Sequence, residues 1–296
     1  MRVLVTGARG QVGFELLRRA PAGFVVTGVG SRELDITNGE QVKEAVVRLR
    51  PQLIINAAAY TAVDKAESEP ERAYAVNRDG VAHLAKSAAD AGIPLLHIST
   101  DYVFAGDADE PYQESAATGP TGVYGASKLA GEQALADLCA QHLILRTSWV
   151  FGVHGNNFVK TMLRLGRERS ELGVVADQHG CPTSAASIAD ALWRVAVQIR
   201  DQGAATWGTY HFSGAPACTW HEFAMEIFQQ ARALGMLERL PQVNAIATRD
   251  YPTPAKRPAW SVMDNQKLER TFGIAASNWR QDLLDVLQEL NGSADK

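Results

Sequence analysis

The sequence has little cysteine, and the cysteines that it has are not arranged for pairing or for metal binding. Cys139, Cys181 and Cys218 are odd in number and widely spaced. A disulfide framework and a cysteine-based metal site are therefore not expected, which favours reduced thiols and a cytoplasmic location.

Basic blocks, long apolar runs and repeats are also missing. The net charge is −4 and no stretch concentrates lysine and arginine, so nothing predicts nucleic-acid binding. The chain starts "MRVLVTGARG", which leads straight into a buried strand, and it has neither a signal-peptide pattern nor an apolar segment of membrane length. We therefore expect no membrane partner. What remains is an ordinary globular composition, 46% hydrophobic over 296 residues, enough for more than one lobe.

Short apolar runs alternate with helical patterns through the first half of the chain. The apolar runs predict buried strands at 2–7, 23–30, 52–59, 94–104 and 142–152. Strands that alternate with helices in this way are typical of an α/β fold, here a Rossmann-type doubly wound parallel sheet. Ligands bind beyond the carboxyl ends of such strands, so informative residues should follow them.

The alternation loosens after residue 152, although 208–214 again resembles a sheet strand. We assign 1–152 and about 184–214 to an NAD(P)-binding Rossmann domain. A smaller α/β substrate-binding lobe takes about 153–183 and 215–296.

A glycine-rich turn separates the first predicted strand from the first helix, in "VLVTGARGQVG". Glycines at this spacing permit a tight turn and let a pyrophosphate approach the backbone N–H groups of a helix N-terminus. A plain strand–helix turn could also use them, but the position at the start of a βαβ pattern favours dinucleotide binding. The predicted cofactor residues of this turn are Gly7, Arg9, Gly10, Gln11, Val12 and Gly13.

The end of the second strand bears on the choice of cofactor. It reads "VTGVGSREL", with Ser31 and Arg32 and no carboxylate at the tip to bind the ribose hydroxyls of NAD. Arg9 and Arg32 would suit the 2′-phosphate of NADP, unless both are only solvated surface charges. Asp35 lies too far past the tip to decide, but it could hold the adenine together with Ile36. We therefore expect NADPH, with NADH as the alternative.

Tyr124 and Lys128 stand four residues apart in "YGASK", on one face of a predicted helix. An ammonium beside a phenol stabilises the phenolate and lowers the tyrosine pKa, which suits proton transfer at neutral pH. The same spacing is common by chance. Ser99, Thr100 and Asp101 strengthen the prediction, because they follow another strand, and no helix that Thr100 could cap is evident after it.

Together these residues resemble the extended short-chain dehydrogenase/reductases, and more narrowly the dTDP-4-dehydrorhamnose reductase family. The resemblance covers nearly the whole chain. It is carried by "NAAAYTAVDKAE" (56–67), "STDYVF" (99–104), "YGASKLAGE" (124–132), "RTSWVF" (146–151), "NNFVKTML" (156–163), "DQHGCPT" (177–183) and "YPTPAKRP" (251–258).

The resemblance implies NAD(P)H-dependent reduction of dTDP-4-dehydro-L-rhamnose to dTDP-L-rhamnose, the last step in making this activated sugar. Under it, Tyr124 protonates the C4 carbonyl oxygen, Thr100 polarises that carbonyl, and Lys128 binds the nicotinamide ribose and lowers the Tyr124 pKa. The residues after the third strand would line the path of the cofactor's ribose and diphosphate: Ala58, Ala59, Tyr60 and Thr61.

The resemblance also implies a set of substrate contacts. Asp101 and Tyr102 would touch the sugar, while Trp149 could either touch it or belong to the core. Lys256 and Arg257 would bind the diphosphate, unless they form only a solvated turn between prolines. The residues expected to shape the substrate lobe are Asp177, Gln178 and Thr183.

A metal-bridged dimer is known in this family, and the sequence fits it poorly. Glu15 matches one glutamate position of that site, but 184–187 reads Ser-Ala-Ala-Ser and offers no second glutamate. We predict no structural metal, and a monomer and a homodimer both stay open.

Two other functions share this fold. A sugar-nucleotide epimerase or dehydratase would retain NAD and recycle its hydride, but the tip of the second strand, with no carboxylate, argues against it. A non-catalytic regulatory subunit would have no chemical need for Thr100, Tyr124 and Lys128 together.

Overall fold

The computed structural model describes residues 1–294, so the last two residues of the lobe predicted at 215–296 lie outside it. The strands are β1 (Arg2–Thr6), β2 (Val25–Val29), β3 (Leu53–Asn56), β4 (Leu95–Thr100), β5 (His142–Thr147), β6 (Val150–Phe151), β7 (Glu171–Val175), β8 (His179–Gly180), β9 (Thr183–Ser184), β10 (Gly208–His211), β11 (Gly214–Ala215), β12 (Cys218–Thr219), β13 (Gln242–Ile246) and β14 (Ser277–Asn278). The helices are α1 (Gln11–Arg18), α2 (Gly39–Leu49), α3 (Val63–Ala66), α4 (Pro70–Tyr74), α5 (Gly80–Ala91), α6 (Val123–Leu138), α7 (Phe158–Glu168), α8 (Ala185–Gln202), α9 (Trp220–Ala233), α10 (Gln266–Phe272) and α11 (Trp279–Ala294).

The central sheet has six strands in the order β10-β5-β4-β3-β1-β2, and every pair in it is parallel. The order reverses between β1 and β3, so the carboxyl ends of these strands open a crevice of the kind that binds dinucleotides. The predicted doubly wound fold is therefore confirmed.

Apolar residues cover both faces of the sheet because successive strand residues point to opposite sides. Val3 and Val5 join one buried cluster, with α1 and α8, whereas Leu4 joins another, with α2 and α5. Leu268 and Phe272 of α10 also pack into the first cluster, although they lie in the predicted second lobe. A third cluster joins α7, α9 and α11 and gives residues beyond the sheet a core of their own. The exact lobe boundaries stay a prediction.

Residues 70–91, between β3 and β4, form one continuous helical run with a local defect. A π-helical turn at Ala75–Asp79 interrupts it between α4 and α5. Such turns hold one extra residue and are frequent at functional sites. In residues 1–294, no helix is long and apolar enough to cross a membrane.

Candidate active site

The glycine turn after β1 approaches the neighbouring strand so closely that it excludes side chains. Gly7 has a left-handed φ of 71°, and a Cβ there would lie 2.5 Å from the backbone of Ala57. A Cβ on Gly13 would lie 2.1 Å from the Gly7 carbonyl oxygen. Gly10 precedes α1, and within residues 1–294 no side chain caps this helix or places an acid in its first turn. Uncapped N–H groups behind a glycine turn fit the pyrophosphate of a dinucleotide.

The tip of β2 differs from the sequence-based expectation, because a carboxylate does lie there. The chain turns back after β2, so that Glu33 accepts a hydrogen bond from the Gly30 N–H at 2.9 Å and forms an ion pair with Arg9. Partial desolvation raises the pKa of Glu33, but the Gly30 hydrogen bond and the Arg9 charge outweigh it and leave the pKa below its ordinary value. Arg32 and Ser31 are exposed beside this pair.

The two residues proposed to hold the adenine are engaged in the fold. The Asp35 carboxylate accepts hydrogen bonds from the backbone and hydroxyl of Thr37, at 3.0 and 2.8 Å. Ile36 is buried, and its side chain packs against Gly80, where a Cβ would come within 2.7 Å. Ile36 can therefore offer little surface to a ligand.

The loop after β3 is held in place by Asn77, which the sequence analysis did not identify. Asn77 lies in the π-helical turn and is fully buried. Its Oδ1 accepts from the Tyr60 N–H at 2.8 Å, and its Nδ2 donates to the Tyr60 carbonyl at 3.1 Å. The same Nδ2 donates to the Ser127 hydroxyl at 3.0 Å, which ties this loop to α6. Ala58 and Ala59 are half-buried in the loop, and Thr61 is exposed.

Thr100 and Tyr124 lie together at the carboxyl end of β4. The Thr100 hydroxyl lies close enough to the Tyr124 phenol to affect the pKa of that phenol, and it donates to Asp101 Oδ1 at 2.9 Å. Contrary to the sequence-based expectation, Thr100 also caps a helix: residues 101–103 form a 3₁₀ turn whose Tyr102 N–H donates to Thr100 Oγ1 at 3.2 Å. The capping interaction fixes the hydroxyl beside the phenol, so the two roles do not exclude each other.

Lys128 Nζ bonds to β4, so the effect that the sequence predicts for it on the Tyr124 pKa stays a prediction. Nζ donates to the Ile98 carbonyl at 2.7 Å and lies 3.3 Å from His97 Nε2. Desolvation raises the pKa of Tyr124 above its ordinary value, the nearby Thr100 hydroxyl opposes this rise, and the Asp101 charge adds to it. Burial likewise lowers the pKa of Lys128 to about 8, against the attraction of Glu132.

Asp101 and Tyr102 both lie in the 3₁₀ turn, and Tyr102 lines the large cleft described below. Asp101 is buried, and desolvation raises its pKa to about 6 against the opposing effect of the Ser261 and Thr100 hydroxyls. The Tyr102 ring meets the edge of the Tyr124 ring at a centroid distance of 5.4 Å. Desolvation raises the pKa of Tyr102 to about 12, and the Asp101 charge contributes. Both phenols are therefore neutral at physiological pH.

Trp149 packs in the core of the second lobe but also contacts a residue that lines the large cleft. Both of its predicted roles, sugar contact and core residue, therefore stay open. Its φ of 47° is left-handed, which is unusual for a bulky residue. The ring stacks on Trp220 with a centroid distance of 3.5 Å and lies where a Cβ on Gly180 would be. Trp220 in turn lines the large cleft.

A cleft with a volume of about 640 Å³ is lined by Tyr102 of the 3₁₀ turn and by charged, aromatic and apolar residues, many of them in α3, α7 and β7. Arg257 lines it, donates to Asp64 at 2.7 Å and lies 3.5 Å from the Tyr102 hydroxyl. Lys256 is exposed and is not among the lining residues, so the structure does not bring it to Arg257's side of the cleft. Arg169 at the end of α7 also lines the cleft, and sequence reasoning missed it.

The three residues expected to shape the substrate lobe lie at different depths. Asp177 accepts from the Thr248 N–H at 2.9 Å and from its hydroxyl. Gln178 lines the cleft and donates to the same hydroxyl at 3.0 Å. Thr183 is fully buried and bonds to the backbone of Cys181 and Gly214 at 3.1 and 3.2 Å, so it supports the lobe from inside.

Glu15, the residue matched to a metal position, has its charge compensated by the protein itself. The carboxylate is buried, pairs with Arg18 at 2.9 Å and lies 3.5 Å from Arg19. Ser184 caps α8, and Ser187 donates to Asp282 at 2.8 Å. Across the described chain, no group of three acidic, histidine or cysteine side chains is arranged to hold a metal ion.

Comparison with known proteins places the chain in a family. The family model described as the RmlD substrate binding domain matches residues 1–291. A dTDP-4-dehydrorhamnose reductase of Aggregatibacter actinomycetemcomitans is 47% identical, over 96% of this chain and 98% of the relative. The enzyme of the same name from Salmonella typhimurium is 46% identical, over 98% of both chains. A solved dTDP-4-dehydrorhamnose reductase of Bacillus anthracis in complex with NADP is 39% identical, with a TM-score of 0.90 and 97% of this chain and 99% of that one covered. This chain belongs to the dTDP-4-dehydrorhamnose reductase family.

Proposed function

We propose that this protein reduces the C4 keto group of dTDP-4-dehydro-L-rhamnose to give dTDP-L-rhamnose, with NADPH as the preferred reductant and NADH as the alternative. The observation that carries the proposal is the Thr100–Tyr124 pair at the carboxyl end of β4, where Tyr102 packs on the phenol ring and donates its N–H to Thr100. It lies at the sheet edge that also carries the glycine turn of β1, as the reaction requires. Bound NADPH supplies the hydride that adds to C4.

Tyr124 supplies the other half of the reduction, a proton to the C4 oxygen. A phenol whose pKa lies above its ordinary value is fully protonated at neutral pH, so the proton is available when the carbonyl oxygen gains charge. Thr100 would donate a second hydrogen bond to that oxygen, and thereby polarise the carbonyl, once its hydroxyl hydrogen turns away from Asp101. Lys128 is placed to bind the nicotinamide ribose if it leaves the Ile98 carbonyl, and its charge would then favour the Tyr124 phenolate.

The cleft supports binding of a nucleoside diphosphate sugar. Arg257 is half-buried and oriented by Asp64, and a guanidinium held in this way can pair with diphosphate oxygens. Tyr102 packs on the proton donor and the Asp101 charge acts on it; these two residues and Trp149 are the proposed sugar contacts. Lys256 would contribute only from the solvent side of the cleft.

The proposal also includes a cytoplasmic location for the protein and an assembly of one or two copies. The three cysteines are buried thiols, which suits the reducing cytoplasm. The assembly is either a monomer or a homodimer, and sedimentation of the purified protein distinguishes the two.

The test mixes protein, NADPH and the dTDP-4-keto sugar, and follows the absorbance of the reduced nicotinamide. We expect the wild-type protein to decrease this absorbance. Tyr124→Phe should lower turnover by about 10²-fold or more and keep the cofactor affinity. Tyr210→Phe is the matched control, because its hydroxyl donates to the Thr206 carbonyl away from the cleft. Tightly bound NAD without net NADPH consumption would instead indicate an epimerase or dehydratase, and near-normal turnover of Tyr124→Phe would refute the assigned proton donor.

A further inference from the structure

A chain of four buried polar side chains runs beneath the site, from the first strand to α6. The Thr6 hydroxyl donates to Asn56 Oδ1 at 2.6 Å, and Asn56 Nδ2 lies 2.9 Å from His97 Nδ1. His97 Nε2 then lies 3.3 Å from Lys128 Nζ. All four residues are at most 2% exposed, so water cannot substitute for any of these contacts.

The contacts of Asn56 determine which atoms donate and which accept along this series of hydrogen bonds. Asn56 Oδ1 accepts from Thr6 and also from the Ala58 N–H at 3.0 Å, which fixes the amide with its nitrogen toward His97. An amide nitrogen can only donate, so His97 Nδ1 must accept. Burial, the largest cause, holds the pKa of His97 well below its ordinary value, so the ring is neutral. Its single proton therefore belongs on Nε2, the atom that faces Lys128.

This arrangement conflicts with a charged Lys128. An ammonium has three donors and no acceptor, so the Nε2–H of His97 and a protonated Nζ would present hydrogens to each other. The amine form removes the conflict, because its lone pair accepts from His97 while it still donates to the Ile98 carbonyl. The acidic group near Nζ on the same helix is Glu132, and Arg146 of β5 compensates it through an ion pair at 2.6 Å.

We propose that His97 is a positioning residue for Lys128: Asn56 fixes it as the Nε2–H tautomer, and His97 then holds Nζ against β4 and opposes its protonation. The charge of Lys128 thus becomes sensitive to pH near neutrality. The functional meaning of this inference rests on the proposed role of Lys128, but the hydrogen-bond chain itself does not.

The first measurement reads the tautomer directly. In protein labelled with ¹⁵N-histidine, long-range proton–nitrogen spectra distinguish a protonated from an unprotonated ring nitrogen. We expect an unprotonated Nδ1 and a protonated Nε2 for His97, unchanged between pH 5 and pH 8. A protonated Nδ1, or a doubly protonated ring in this range, overturns the proposal.

The second measurement follows Lys128 through the ¹³Cε shift of labelled lysine. The wild-type midpoint should lie at or below about pH 8, compared with about 10.4 for an unperturbed lysine. Asn56→Asp replaces the donor with an acceptor, so His97 Nδ1 takes the proton and Nε2 becomes an acceptor for an ammonium. The midpoint should then rise by about one unit or more. His142→Gln is the matched control, because that ring bonds to the Cys139 carbonyl at the amino end of β5, outside the Thr6–Asn56–His97–Lys128 series, and the Lys128 midpoint should not move.

An unchanged midpoint in Asn56→Asp, or a wild-type midpoint near the ordinary lysine value, refutes the inference. If Asn56→Asp does not fold, the wild-type tautomer and midpoint decide alone. Neither measurement uses turnover, so an inactive protein with the expected tautomer would overturn the proposed function and leave this inference standing. An active protein with the opposite tautomer would overturn this inference and leave the proposed function standing.

Discussion

Gly125, the second residue of the YGASK segment, sets how closely α6 approaches the turn that carries Thr100. A Cβ at this position would lie 2.1 Å from the Tyr102 carbonyl oxygen and 3.0 Å from Pro120 Cβ. The nearer atom belongs to the backbone of the 3₁₀ turn, so no side-chain rotation can relieve the contact. Gly125→Ala should therefore push the start of α6 and the turn apart by about 1 Å.

Two opposing effects decide the stability of Gly125→Ala. Alanine is favoured over glycine in a helix by about 1 kcal/mol. Overpacking against fixed backbone costs about 1–3 kcal/mol, so we expect a net loss of up to about 2 kcal/mol. Gly292 in α11 supplies the matched control, since nothing lies within 4 Å of its Cβ position. Gly292→Ala should be neutral or gain up to about 1 kcal/mol.

Turnover is the more sensitive measure, because Tyr124 adjoins the displaced residue. A misplacement of about 1 Å in a reacting group costs on the order of 10²-fold in rate. Urea unfolding, NADPH titration by fluorescence and kcat should be measured for both variants. If Gly125→Ala keeps the wild-type kcat and is stabilised as Gly292→Ala is, the close approach of α6 to the turn is not required for catalysis.

Three further predictions concern the tip of β2, the large cleft and the buried carboxylate of Asp101. Glu33→Gln frees Arg9 for the 2′-phosphate, so the KM for NADPH should fall several-fold while that for NADH does not; an equal fall in both would contradict this. Arg257→Gln should raise the KM for the sugar nucleotide about 10-fold or more, whereas Lys256→Gln should change it little, and similar effects of both would refute the assignment. Because the folded protein binds the Asp101 proton more tightly than the unfolded chain does, this group lowers the free energy of unfolding as pH rises from about 4 to about 6, by up to about 3 kcal/mol. Asp101→Asn should flatten that slope in urea unfolding at several pH values, and an unchanged slope would sink the explanation.

Periodicity and glycine spacing were enough to predict the sheet and the cofactor turn. The strands predicted at 2–7 and 52–59 appear as β1 and β3 with their apolar residues buried, since a parallel strand covered on both faces must be apolar throughout. Gly7 adopts the left-handed conformation that its position in the turn requires. The burial of these strands and the conformation of this turn depend on residues close together in the sequence, so they could be predicted from it.

Contacts between segments could not be predicted in the same way. Glu33 is four residues past the end of β2 in the sequence, but the chain turns back and returns its carboxylate to Gly30 and Arg9. Lys128 shares a helix face with Tyr124, yet its ammonium bonds to β4, because the pairing partner of a long flexible side chain depends on what packs opposite. Spacing along one element shows which side chains share a face, but not where their ends go.

The geometry of the proton donor is determined largely outside the Tyr–Lys pattern. One extra residue in the π-helical turn brings the Asn77 side chain inward, where it binds both backbone groups of Tyr60. Asn77 also binds the Ser127 hydroxyl, and that hydroxyl donates to the Tyr124 carbonyl at 2.8 Å. Because these bonds are continuous, a shift of the loop after β3 must either break one of them or move the first turn of α6. The loop expected to hold the cofactor and the helix that carries the phenol are therefore held in one register by a side chain that neither of them contains.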